Sequence, residues 1–197
     1  MRLTTILSVA LTAVCCITPA PAQRVVNFGS KLAPRQSTNV VFQVDGQGAG
    51  MSIQYGQPEW KDEYDTMLDK LKGRLSRLGK DWWTTLSTSV DVEIGGTMVA
   101  AGNYVLGLQC DKDGKFSIVG MEATKALKSG AVPFGPQTWK PDFVVPMEFK
   151  KDANKTVVQL MEIELTSDAK DAVRGALKVR WGKHELIAPM AVSFAKR

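Results

Sequence analysis

Apolar side chains recur at every second residue through most of this chain, and that period limits its fold more than any other feature. Leu86, Thr88, Val90, Val92 and Ile94 share one parity, while Ser87, Ser89, Asp91 and Glu93 share the other. Successive side chains of an extended strand point to opposite faces, so such a stretch is a strand with one oily face and one wet face. The rhythm returns in Met51, Ile53 and Tyr55, then in Tyr104, Leu106, Leu108 and Cys110. It continues through Phe116 and Ile118, through Phe143, Val145, Met147 and Phe149, and, with Gln159 as an exception, through Val157, Met161, Ile163 and Leu165. Leu177, Val179 and Trp181, then Leu186, Met190, Val192 and Phe194, complete it. Turn-forming residues separate these runs: GQGAG at 46–50, Gly95-Gly96, DKDG at 111–114 and Gly182-Lys183. No strand–helix–strand alternation is present, which argues against a parallel sheet. The pattern predicts a mainly β chain, an antiparallel β-sandwich of about nine short strands.

One segment departs from period two. Trp60, Tyr64, Met67, Leu68, Leu71, Leu75 and Leu78 recur at steps of three and four. That spacing predicts an amphipathic α-helix over about 58–78, packed on the sheet through one face. Pro58 suits its first position, Glu59, Asp62 and Glu63 suit its positive end, and Lys70, Lys72, Arg74 and Arg77 suit its negative end.

The first residues read as an export signal. Arg2 precedes an apolar run from Ile6 to Ile17, and Ala20-Pro21-Ala22 has the small-x-small form that signal peptidase reads. We expect cleavage after Ala22 (a signal peptide at 1–22) and a secreted or periplasmic chain. Lipid attachment at Cys15 or Cys16 fits less well, because neither follows a small residue. The remainder reads as one domain, with 23–49 supplying an N-terminal segment and first strand to the sandwich of 50–197. It retains a single cysteine, Cys110, so no internal disulfide can close and the core must carry the stability. The net charge of +5 is spread along the chain without the dense basic and aromatic stripe of a nucleic-acid reader. No later apolar run is long enough to span a bilayer, so an integral membrane protein is not expected.

Catalytic and metal-binding sets are incomplete. His184 is the only histidine and reads as an exposed turn residue in WGKHEL. Ser167 and Lys170 have Ser-x-x-Lys spacing without the companion motifs. Asp111, Asp113 and Gly114 resemble the start of a calcium loop, but a tight turn explains them equally. No metal or cofactor is expected. Glu162 and Glu164 share a strand face about 7 Å apart, the nearest thing to a carboxylate pair. Aromatic residues are the better lead for binding. Adjacent Trp82 and Trp83 point to opposite faces if extended, and Trp139 lies in the Pro-rich loop 132–141. All three are candidate ligand contacts.

The order Tyr55-x-x-Pro58, Trp82-Trp83, Gly95-Gly96, Ala101-Gly102-x-Tyr104 and Trp181 resembles an exported bacterial family catalogued as domain of unknown function 2911. The resemblance covers roughly residues 50–194 and implies an all-β fold without implying an activity. It marks Gly95, Gly96, Ala101, Gly102, Tyr104 and Trp181 as structural. Trp83 runs directly into Thr84-Thr85-Leu86, where relatives carry a polar stretch, so the chain reads as a divergent member. Within it, Ala100-Ala101-Gly102 is expected to bend a strand rather than to meet a ligand. The functional expectation is a non-catalytic binding or structural module of the bacterial cell envelope, its partner a carbohydrate, a lipid or an envelope protein. Two alternatives remain open: a carbohydrate hydrolase using carboxylates such as Glu162 and Glu164, and a helper subunit docking an envelope partner.

Overall fold

A computed structural model describes residues 32–44, 46–135 and 139–194. The signal-peptide expectation for 1–22 lies outside the described residues. The chain is mainly β, with twelve strands among the described residues. They are β1 (Arg35–Val44), β2 (Gln47–Gly56), β3 (Arg74–Arg77), β4 (Thr84–Thr88), β5 (Val92–Ile94) and β6 (Thr97–Val99). Then follow β7 (Gly102–Cys110), β8 (Phe116–Glu122), β9 (Phe143–Lys150), β10 (Val158–Ser167), β11 (Arg174–Gly182) and β12 (His184–Val192). Two short helices interrupt them: a 3₁₀ helix at Asp62–Leu71 and α1 at Ala123–Lys128.

Hydrogen bonding links the strands in the order β1-β2-β4-β7-β8-β9-β12-β11-β10, with every described pairing antiparallel. β9 joins the two halves. Its residues Phe143 to Met147 pair with β8, and its residues Glu148 to Lys150 pair with β12. The sheet curls through this shared strand until its far end meets its beginning, so the sandwich expectation becomes a nearly closed barrel. Side chains stitch the seam. The Tyr55 hydroxyl accepts from the Ile163 N–H at 2.9 Å, and the Thr38 hydroxyl accepts from the Leu165 N–H at 3.1 Å. Burial holds the Tyr55 phenol above its ordinary pKa, which keeps it a neutral hydrogen-bonding group.

The stretch 86–94 keeps its alternation but belongs to two strands. β4 pairs with β2 and β7, whereas β5 pairs with β12 and β6. Val92 and Ile94 are buried and Val90 is half-buried against the core, as period two requires. Between the strands the Thr88 hydroxyl donates to the Val90 carbonyl, and Asp91 accepts from the Ala101 N–H. Gly95-Gly96 makes the expected two-residue hairpin turn, with φ of +56° and +80°. Beyond it the Tyr104 ring packs over Gly102, and its hydroxyl donates to the Ala100 carbonyl at 2.9 Å. The break in the strand pattern is therefore a bend closed by Tyr104.

The main core fills the barrel with Phe42, Ile53, Leu106, Ile118, Val145 and Leu177 among many others. Each fully buried aliphatic side chain contributes about 1.5–3 kcal/mol, against about 1 kcal/mol net for a seam hydrogen bond. Burial therefore closes the barrel, and the seam bonds set which strands meet. A second, smaller cluster lies outside it, formed by Trp83, Val105, Met121, Ala126 and Trp139.

The segment 58–78 departs most from expectation. Pro58 and Glu59 are extended and lie against β10, where Met161 N–H donates to the Pro58 carbonyl and Glu59 bridges Leu160. The helix is 3₁₀, begins at Asp62 and ends at Leu71, and none of its residues is fully buried. Leu75 and Leu78 belong to a strand and its exit, facing opposite sides: Leu75 packs on the outer cluster and Leu78 in the main core. Ten residues is long for a 3₁₀ helix.

Tyr55→Phe leaves the buried Ile163 N–H without its acceptor, so chemical denaturation should show a loss of about 1–3 kcal/mol. At the hairpin, an added Cβ on Gly96 meets open space, whereas one on Gly95 lies 2.7 Å from the Pro146 carbonyl oxygen. Gly96→Ala should cost about 1–2 kcal/mol for left-handed backbone alone, and Gly95→Ala clearly more. Equal losses would contradict the packing described here.

Candidate functional site

A cavity of about 550 Å³ opens at one end of the barrel, beneath the 3₁₀ helix. The strands contribute Leu108, Phe116, Phe149, Met161, Val179 and Leu186 to its wall. The helix contributes Tyr64, Met67, Leu68 and Leu71. Trp60, Trp181 and His184 stand where the helix joins the barrel. The wall is therefore largely apolar, and it is built from inward positions that the strand alternation assigns to the core.

The sequence spacing explains how the cover is anchored. Besides the bond from the Met161 N–H to the Pro58 carbonyl, three more tie down the extended residues before the helix. Trp60 N–H donates to the Gln159 carbonyl at 2.6 Å, the Gln57 amide to the Met161 carbonyl at 3.1 Å, and the Trp181 indole to the Pro58 carbonyl at 3.0 Å. Trp60 then meets Tyr64 and Trp181 edge to face, with centroids 5.8 and 5.1 Å apart, and Tyr64 leans on Trp181 at 5.0 Å. Such aromatic pairs add about 0.5–1.5 kcal/mol each beyond the area they bury. Gly182 is required under this cluster, since a Cβ there would lie 2.4 Å from the Trp60 ring.

His184 corrects the sequence expectation of an exposed turn residue: it is 6% exposed. The turn is Gly182-Lys183 alone, and His184 is already the first residue of β12, opposite Trp181. Its parity is that of Leu186, Met190 and Val192, so the alternation contained the signal for its burial. Its Nδ1 accepts from the Asp152 N–H at 3.3 Å, which places the ring proton on Nε2, 2.6 Å from the Asp65 carboxylate. Asp65 belongs to the helix, so this bond fastens the cover to the barrel wall. With both nitrogens occupied, the imidazole has no free position from which to serve as a general base.

The tryptophans singled out from the sequence lie elsewhere. Trp83 and Trp139 are buried against each other in the outer cluster, with ring centroids 4.9 Å apart, and Trp82 stands exposed beside Trp83. Trp139 is not the open loop ring that its Pro-rich context suggested, because its indole donates to the Val132 carbonyl and holds the loop down. Trp181 does take a structural part, as the anchor of Pro58.

Glu162 and Glu164 both bind the Arg180 guanidinium on the outside of β10 and β11, away from the cavity. Asp111 closes its own turn by accepting from the N–H groups of Asp113 and Lys115. Cys110 is buried, and desolvation raises its thiol pKa, which suppresses the thiolate. Among the described residues, no three His, Cys, Asp or Glu side chains converge as a metal site would need. No described helix is long and apolar enough to cross a membrane.

The chain belongs to the family described as protein of unknown function (DUF2911), whose model matches residues 36–190. No curated protein and no solved structure matches it significantly.

Asp65→Ala should leave the buried His184 Nε2–H unsatisfied and lower stability by about 1–3 kcal/mol. Lys70→Ala, exposed on the same helix and not part of the cavity wall, should change it by less than about 0.5 kcal/mol. Thermal unfolding of the two variants separates a fastened cover from a loosely resting one.

Proposed function

We propose that the chain is an exported, non-catalytic binding module of the bacterial cell envelope that holds a small, largely apolar molecule in the cavity beneath its 3₁₀ helix. The cavity carries this reading. Its volume of about 550 Å³ lies within the range of small-molecule sites, and its wall is mainly aliphatic and aromatic, with Glu59, Lys61, Arg77, Lys80 and Glu185 also lining it. Small barrels commonly take a single ligand at this position. The export expectation rests on residues 1–22 and the family relationship, and it supplies the cellular setting. The apolar wall favours a lipid-like molecule over a carbohydrate, which would ask for more hydrogen-bonding groups. Arg180 occupies both Glu162 and Glu164, which weakens the alternative of a carboxylate hydrolase.

An apolar fluorophore such as N-phenylnaphthylamine should brighten on binding, and added dodecanol should displace it. Leu108→Trp places a large ring in the cavity and should weaken fluorophore affinity about tenfold or more, a loss of at least ~1.4 kcal/mol. Trp82→Phe should leave the affinity unchanged. Failure of the folded parent to bind any apolar probe, or equal affinity in Leu108→Trp, rejects the cavity as the site.

A further inference from the structure

A different face of the molecule carries a second kind of contact. The outer cluster of Trp83, Val105, Met121, Ala126 and Trp139 forms a base on which short, projecting elements rest. From those elements Trp82, Leu127, Val132 and Phe134 point outward, between 46% and 76% exposed. Leu127 rides on α1, whose Ala126 is buried in the cluster. Val132 and Phe134 ride on the loop that the Trp139 indole holds through the Val132 carbonyl. These side chains are therefore displayed on a supported surface.

The charge around them has one sign in excess. Arg77 lies over the Phe134 ring at 5.3 Å, and the Arg35 guanidinium donates to the Trp83 carbonyl at 2.9 Å. Lys128 follows Leu127 and Lys140 follows Trp139, while Lys80, two residues before Trp82, also lines the cavity, as Arg77 does. The acids of this face are engaged. Asp81 accepts from the Ala33 N–H, Glu122 from the N–H groups of Thr124 and Lys125, and Asp142 from the Glu122 N–H while pairing with Lys125. Backbone bonds hold the Glu122 carboxyl below its ordinary pKa; at Asp142 burial pushes the carboxyl up, but the Lys125 ammonium and the Glu122 N–H outweigh it and hold it below its ordinary value.

We infer that this face docks on an anionic membrane surface, with Trp82, Leu127, Val132 and Phe134 entering the interface and the surrounding lysines and arginines meeting the headgroups. A protein interface removes charge from its centre, whereas here Arg77 lies over Phe134 and Lys128 is the chain neighbour of Leu127. Separated apolar tips with basic neighbours suit a surface that offers oil and negative charge at adjacent depths. Tryptophan is favoured at that depth because its ring is part apolar and part polar. β3 links this face to the cavity, since Leu75 packs on the outer cluster while Ser76 lines the cavity wall. The docking inference does not depend on the cavity binding a ligand.

Co-sedimentation of the purified chain with phosphatidylglycerol vesicles and with phosphatidylcholine vesicles tests it. Binding should favour the anionic vesicles by about tenfold or more and should fall as salt rises. Trp82→Ser combined with Leu127→Ser should lower anionic-vesicle binding about tenfold with an unchanged melting temperature. Lys128→Glu should lower it about fivefold or more. Leu108→Trp, which blocks the cavity, should bind vesicles like the parent. Absence of binding, equal binding to both vesicle types, or parent-like binding by the double serine variant overturns the inference. So does loss of vesicle binding in folded Leu108→Trp, which would place the lipid contact in the cavity. A dimer in sedimentation equilibrium that Trp82→Ser abolishes would assign the face to a second copy of the chain instead.

Discussion

The structure depends on closing one antiparallel sheet on itself. A sheet with one oily face must cover that face, and here the two halves cover each other. β9 makes this possible by pairing with β8 along its first part and with β12 along its last. Among the described residues no backbone ladder joins β1 or β2 to β10, so the Thr38 and Tyr55 hydroxyls satisfy N–H groups of β10 that would otherwise be buried without a partner. The inward residues of β4 and β5 then share a single core although the two strands pair in different halves.

The same closure produces the cavity. Toward one end the inward side chains no longer meet across the barrel, and the space between them is roofed by a helix that no residue buries completely. Aromatic contacts at Trp60, Tyr64 and Trp181 and one polar bond from His184 to Asp65 hold the roof. A barrel end filled by core residues would need no such fastening. The wall is mainly apolar, and the imidazole beside it is occupied at both nitrogens.

Legibility differed between the sheet and the site for a physical reason. Period two reports which face of a strand is oily, and that was enough to identify most of the strands, the Gly95-Gly96 turn and the bend at Gly102, but not β3, which the expected helix absorbed. It was also enough to place His184 inward, had the strand been started one residue after Lys183. Period two is silent about which strands pair, so the stretch 86–94 gave no sign that β4 and β5 lie in different halves. Steps of three and four marked Tyr64, Leu68 and Leu71 as one face, yet the same spacing absorbed Leu75 and Leu78, which a strand places on opposite sides. The Trp83–Trp139 pair was illegible because it joins residues far apart in the chain on the outside of the sheet.

The sequence by itself determined that this chain is an antiparallel β structure with one non-β segment after β2, and it identified its family. Those properties follow from local alternation and turn chemistry, which neighbouring residues settle among themselves. Only the tertiary structure decided that the sheet closes, that the non-β segment roofs a cavity, and which tryptophans face solvent. Those outcomes depend on contacts between distant segments, such as His184 with Asp65 and Tyr55 with Ile163, whose energies no local pattern encodes.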